Sequence, residues 1–182
     1  MALTQVAGGM IASSPTLTTP IITTTLGVGN ATPASTGAGI SFPATQSASS
    51  DVNTLDDYEE GTWSPNVTGT ATYTIQQGWY VKVGQLVTIS FDMQINAIGT
   101  GSGTAISGLP FTNVTSGAQN PGGGISYFSG LAVNIYFLAA QISGSNIIFI
   151  TTTSAAATCN NTASIFTSNA RVIGTFSYRT ST

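Results

Sequence analysis

Leu86-Val87-Thr88-Ile89-Ser90-Phe91-Asp92-Met93-Gln94-Ile95 carries the clearest strand pattern in the chain. Val87, Ile89, Phe91, Met93 and Ile95 alternate with Thr88, Ser90, Asp92 and Gln94. A sustained period of two marks a β-strand with one face in a core and the other toward polar surroundings. Burial of each apolar side chain stabilises the domain by about 1.5–3 kcal/mol, and Asp92 falls on the polar face. Further strands are predicted over 71–76, 79–83, 104–107, 125–128, 132–142, 146–152 and 171–178. Glycine-rich turns separate them at Ile98-Gly99-Thr100-Gly101-Ser102-Gly103 and Gln119-Asn120-Pro121-Gly122-Gly123-Gly124. Short strands at this spacing, without a helical period, predict an all-β domain over residues 62–182, an antiparallel β-sandwich or jelly roll.

The chain before this domain reads differently. Residues 1–50 carry no charge and one aromatic side chain, Phe42, so they cannot build a core of their own. Pro15, Pro20, Pro33 and Pro43 forbid a long helix, and the β-branched residues between them favour extended backbone. An extended arm that gains its order on neighbouring chains is the expectation; at ~3.3 Å per residue it reaches up to ~165 Å. Residues 51–61 hold five of the six acids: Asp51, Asp56, Asp57, Glu59 and Glu60. Thr54 is placed as a cap ahead of Leu55, with Asp57 in the capping-box position and Gly61 as a stop. One or two helical turns joining arm to domain are therefore predicted.

Composition excludes much chemistry. No histidine is present, which removes histidine general bases and the usual zinc sites. Lys82, Arg171 and Arg179 are the only side-chain cations, too few for a nucleic-acid footprint. No phosphate-binding Gly-Lys-Ser/Thr loop occurs, and nothing calls for a cofactor. Apolar runs fall short of the ~20 residues of a spanning helix, so no membrane insertion is expected. The amino-terminal Met1-Ala2-Leu3-Thr4 lacks the charged and apolar regions of a secretory signal. Cys159 stands alone and is read as a small buried hydrophobe. Charged residues make up 5% of the chain, against roughly a quarter in ordinary domains, so much of the surface is expected to be hidden between subunits.

Several of these stretches resemble bacteriophage tail-fibre and head-fibre proteins. Met1-Ala2-Leu3-Thr4 leading to Gly9-Met10-Ile11 looks like a virion-attachment segment, and Ser14-Pro15-Thr16-Leu17-Thr18-Thr19-Pro20 like the threonine–proline arm that follows it. Leu55-Asp56-Asp57-Tyr58-Glu59-Glu60-Gly61-Thr62-Trp63-Ser64-Pro65 is close to an acidic block common in phage structural proteins, with Ser64 in place of threonine. Gly78-Trp79-Tyr80-Val81-Lys82-Val83-Gly84 and Ser107-Gly108-Leu109-Pro110-Phe111 resemble a strand and a turn of fibre tips.

The resemblance implies a homotrimeric tail fibre on the particle surface. Met1, Ala2, Leu3, Thr4, Gln5, Val6, Met10 and Ile11 would anchor it to other virion proteins, whether tail hub, adaptor or capsid. The β-domain would point outward for host-surface adhesion. A capsid head fibre or decoration protein is the alternative, and a polysaccharide depolymerase a third reading.

Candidate contacts with a host surface glycan are Asn113, Gln119, Asn120 and Tyr127, on or near the loops. Trp63, Tyr73, Trp79 and Tyr80 suit sugar stacking but, lying beside predicted strands, are read as packing residues. The acidic block is read as a solvated hinge. A catalytic carboxylate pair, or a cation held where three copies meet, are its other readings, and no metal site is expected.

Overall fold

A computed structural model describes residues 25–34, 36–101, 103–114, 121–132, 135–152, 160–161 and 164–181. The anchoring segment from Met1 to Ile11, Gln119, Asn120 and Cys159 lie outside them. The chain divides into two units, Met1–Pro43 and Ala44–Thr182.

In the first unit, β1 (Thr25–Gly27) pairs in parallel with β2 (Gly39–Ser41). Thr25 donates its hydroxyl to the carbonyl of Ala34 at 2.8 Å.

The second unit is a nine-stranded sheet of β3 (Tyr58–Trp63), β4 (Thr72–Val83), β5 (Leu86–Ala97), β6 (Ala105–Ser107), β7 (Gly122–Ser129), β8 (Phe137–Ser143), β9 (Asn146–Thr152), β10 (Asn160–Asn161) and β11 (Arg171–Arg179). Every pairing is antiparallel, in the order β10-β9-β8-β7-β11-β5-β4-β3, with β6 added on β9. One sheet curls so that its inner face encloses a single core. A bridge between Asn66 and Ser107 joins the chain leaving β3 to β6, and hence to β9.

The alternation in β5 does what its sequence predicts. Val87, Ile89, Phe91, Met93 and Ile95 are all buried, with Val172, Phe176 and Tyr178 of β11 beside them. Phe91 has glycine partners on both sides, Gly78 on β4 and Gly174 on β11. A Cβ at Gly78 would lie 2.5 Å from the Trp63 indole nitrogen, and one at Gly174 would lie 3.1 Å from the Phe91 ring. The glycines vacate the space that the two rings fill. Trp63 meets Phe91 edge-on at 5.9 Å, and Phe176 stacks on its other side at 6.3 Å.

β4 runs unbroken where two shorter strands were predicted. Register shifts at Thr72/Tyr73 and Tyr73/Ile75 change the phase, so odd-numbered Tyr73 opposes buried Ile95 while even-numbered Gly78 opposes buried Phe91. An inserted residue of this kind breaks the apparent alternation without ending the strand.

The short acidic helix is not formed; no helix occurs among the described residues. Asp51 instead closes an Asx-type turn, accepting from the backbone N–H of Asn53 at 2.9 Å. Tyr58–Trp63 enters the sheet as β3, paired along its length with β4. Long-range pairing and the burial of Asp57 and Trp63 outweigh a weak local capping signal.

Candidate functional site

The three internal stretches that carry the resemblance come together in one place. β3 and β4 pair Glu59 with Lys82, Gly61 with Tyr80 and Trp63 with Gly78. Gly61 leaves room for the Tyr80 ring, whose atoms would lie 2.9 Å from a Cβ there. Phe111 then closes the layer, edge-on to Tyr80 at 5.4 Å and 5.3 Å beneath the Lys82 ammonium. Its carbonyl accepts the Tyr178 hydroxyl at 2.9 Å.

At the centre lies a buried ion pair. Asp57 and Lys82 are both fully buried, and the ammonium donates to Asp57 Oδ2, with Glu59 Oε1 at 3.8 Å. Burial pushes the Lys82 ammonium below the usual lysine range, and the charge of Asp56 opposes that shift. The lysine supplies from within the chain the cation that the acidic block would otherwise seek.

Asp56 faces the segment before the domain. Its carboxylate accepts from the Ser49 backbone N–H at 2.8 Å and from Gln46 Nε2 at 3.2 Å, and the Ser49 bond leads in holding its carboxyl below the usual range. Asp56 and Asp57 thus tie residues 46–57 to the sheet, while Asp51 and Glu60 of the same block stay exposed.

The other acids are also committed. Asp92 holds Arg171 in a two-point pair at 3.0 and 2.6 Å, and that bond pushes the guanidinium up. Glu60 accepts the Tyr58 hydroxyl at 2.7 Å. Glu59 and Glu60, adjacent on a strand, point to opposite faces. No cluster of three or more metal-ligating groups occurs among the described residues.

Asn113 and Tyr127 are not brought together. Asn113 is buried, its backbone N–H bonded to Gly144 O at 2.9 Å and its side-chain amide to Ile142 O at 3.5 Å. Its polar groups serve the fold, and the residue also lines the cleft beside Val114 and Tyr178. Tyr127 stands exposed on β7 with Arg171 at 5.7 Å from its ring. Their partners are Thr180, one residue past β11, and Ile173 on β11, so they lie about 23 Å apart along that segment at ~3.3 Å per residue.

Of the four aromatics, Trp63 is buried, Tyr80 packs on Phe111, and Tyr73 donates its hydroxyl to Asn66 Oδ1 at 2.5 Å. Trp79 alone of these faces outward, over a shallow groove lined by Glu60, Thr62 and Val81. A larger cleft of about 610 Å³ opens beside Leu86, Val114, Tyr178 and Arg179. Among the described residues Arg179 is its only charged lining residue.

Burial pushes the Tyr178 hydroxyl up to about 12. A raised folded-state value leaves stability intact below pH ~10 and removes it as pH rises toward ~12, while unfolded tyrosine ionises freely. Two units correspond to roughly 2–3 kcal/mol. Urea titrations at pH 8 and pH 11.5 are expected to show a shallower alkaline loss in Tyr178→Phe than in the parent chain.

This architecture defines a class: an all-β domain built on one curled antiparallel sheet. Comparison with solved structures finds a similar fold in the Dettilon tailspike protein (gp208), at 17% identity and a TM-score of 0.52. The likeness covers 67% of this chain and 24% of that one, about a quarter of the tailspike's length. No protein-family model matches the chain, and no curated protein does.

Proposed function

We propose that this chain is a structural, non-catalytic protein of a bacteriophage particle: a homotrimeric tail fibre, anchored through residues 1–11, whose β-domain is carried outward for host-surface adhesion. One observation carries the reading. The acidic block, the Tyr80-x-Lys82-x-Gly84 strand and the Leu109-Pro110-Phe111 turn, each resembling phage fibre sequence, form a single interlocked unit around Asp57 and Lys82. Resemblances scattered along the chain thus reduce to one structural element, set in a fold shared with a phage tailspike. Commitment of all six acids to structural partners supports a role without carboxylate catalysis. Scarce charge supports self-association.

Immunogold labelling of purified particles with antibody to residues 44–182 tests this. Label on tail appendages is expected. Label confined to the capsid would move the protein to a head-fibre or decoration role, and unlabelled particles would refute virion membership. Cleavage of host capsule or lipopolysaccharide by the purified chain would refute the non-catalytic part.

A further inference from the structure

β4 is inside out by ordinary polarity. Its inner face carries Lys82, while Trp79, Val81 and Val83 point outward. Register extends this apolar surface to the neighbouring strands. Tyr58 on β3 pairs with Val83, which pairs with Leu86 on β5. These five side chains are between 41% and 51% exposed. Contiguous outward apolar surface of this kind marks an interaction site.

Charge decides what covers it. Glu60 pairs in register with Val81 at one margin of the stripe, and its carboxylate meets a tyrosine hydroxyl but no cation among the described residues. Arg179 pairs with Leu86 at the other margin. Its guanidinium donates to the neutral Gln85 amide oxygen at 2.5 Å and meets no carboxylate among the described residues. Lys82 and Arg171, the other cations, each hold an aspartate. One face thus carries an apolar stripe between an acid and a base that lack charged partners. A surface with that layout is complementary to itself.

We propose that the outward face of β3, β4 and β5 is where a second copy of this chain docks, Trp79, Val81, Val83 and Leu86 forming the apolar centre and Glu60 of one copy meeting Arg179 of the other. The inference rests on the self-association in the proposed function and adds its surface. Edge-to-edge pairing of two β3 strands is disfavoured, because it would gather Glu59 and Glu60 of both copies. Three such faces turned toward a common axis set the acidic margin of each copy against the basic margin of the next, which fixes register as well as contact.

Light scattering on the full chain after size exclusion tests the surface, with circular dichroism to check that each variant keeps its sheet. Val81→Glu is expected to reduce the mass to that of a single chain. Glu60→Arg and Arg179→Glu each place like charges together and are expected to weaken assembly, whereas the double exchange restores it. An oligomer whose mass none of these changes would overturn the surface and leave the proposed self-association standing. A parent chain that is monomeric at ~100 μM would overturn both. A Val81→Glu chain that keeps its mass but loses retention on immobilised lipopolysaccharide would make the face a glycan site and overturn the inference.

Discussion

Lys82→Met is expected to destabilise the β-domain by about 3–5 kcal/mol, the cost of leaving a buried carboxylate without its counter-charge. Asp57 is fully buried, and its second oxygen, Oδ1, already meets no donor among the described residues. Water cannot easily substitute for the ammonium at such a site. The expected loss comes from the stranded charge, not from any large net gain the pair makes over an apolar core. Asp57→Asn combined with Lys82→Met is therefore expected to recover most of it, and the double-mutant cycle reads the coupling directly. Urea midpoints at fixed chain concentration measure all four proteins, since any assembly adds its own concentration-dependent stability. Equal losses in the single and double variants would show that methionine fails on shape and that the charge pair is incidental.

Phe91→Ala is expected to cost a similar amount, about 3–5 kcal/mol. The phenyl ring is the only side chain of any size at its level of β4, β5 and β11, because both of its in-register partners are glycine. Neither Gly78 nor Gly174 has atoms with which to close the void. Trp63 and Phe176 would each lose a ring contact. Phe91→Leu keeps much of the volume and is expected to lose markedly less, which separates packing from a general intolerance at the site. The same urea series reads it.

The strands were legible where each lies half in a core and half in polar surroundings. β5 and β11 show their alternation openly, and Asn146–Thr152 forms β9 over the span predicted. The fold was harder to read wherever chemistry and position disagree. β3 was missed because Thr54, Asp57 and Gly61 offer helix-end residues, while the partner that draws Tyr58–Trp63 into a sheet lies about twenty residues on. Spacing within eleven residues cannot express that pairing.

Lys82 was the deeper difficulty. Trp79, Val81 and Val83 form the more apolar set of β4, so alternation alone assigns them to the core and the lysine to solvent. The structure reverses this, because Asp57 neutralises Lys82 inside and Tyr80 shares its face. A surplus of acids around residues 51–60 beside a single lysine was the available signal, and it pointed to a pair without saying which acid. Asn113, a polar residue at the mouth of a glycine-rich loop, reads as solvent-facing; the structure gives its amide to Ile142 O and keeps the residue on the wall of the cleft beside Val114. The outward apolar stripe is thus a product of tertiary inversion and could be found only once the register was known.

A cryo-electron microscopy reconstruction of the purified particle, at a resolution that separates strands, decides whether this chain belongs to a virion. The curled nine-stranded domain is expected at the particle surface, in groups of three copies, with the segment before residue 44 leading inward to the virion. A complete map of the particle with no density for this domain would contradict virion membership.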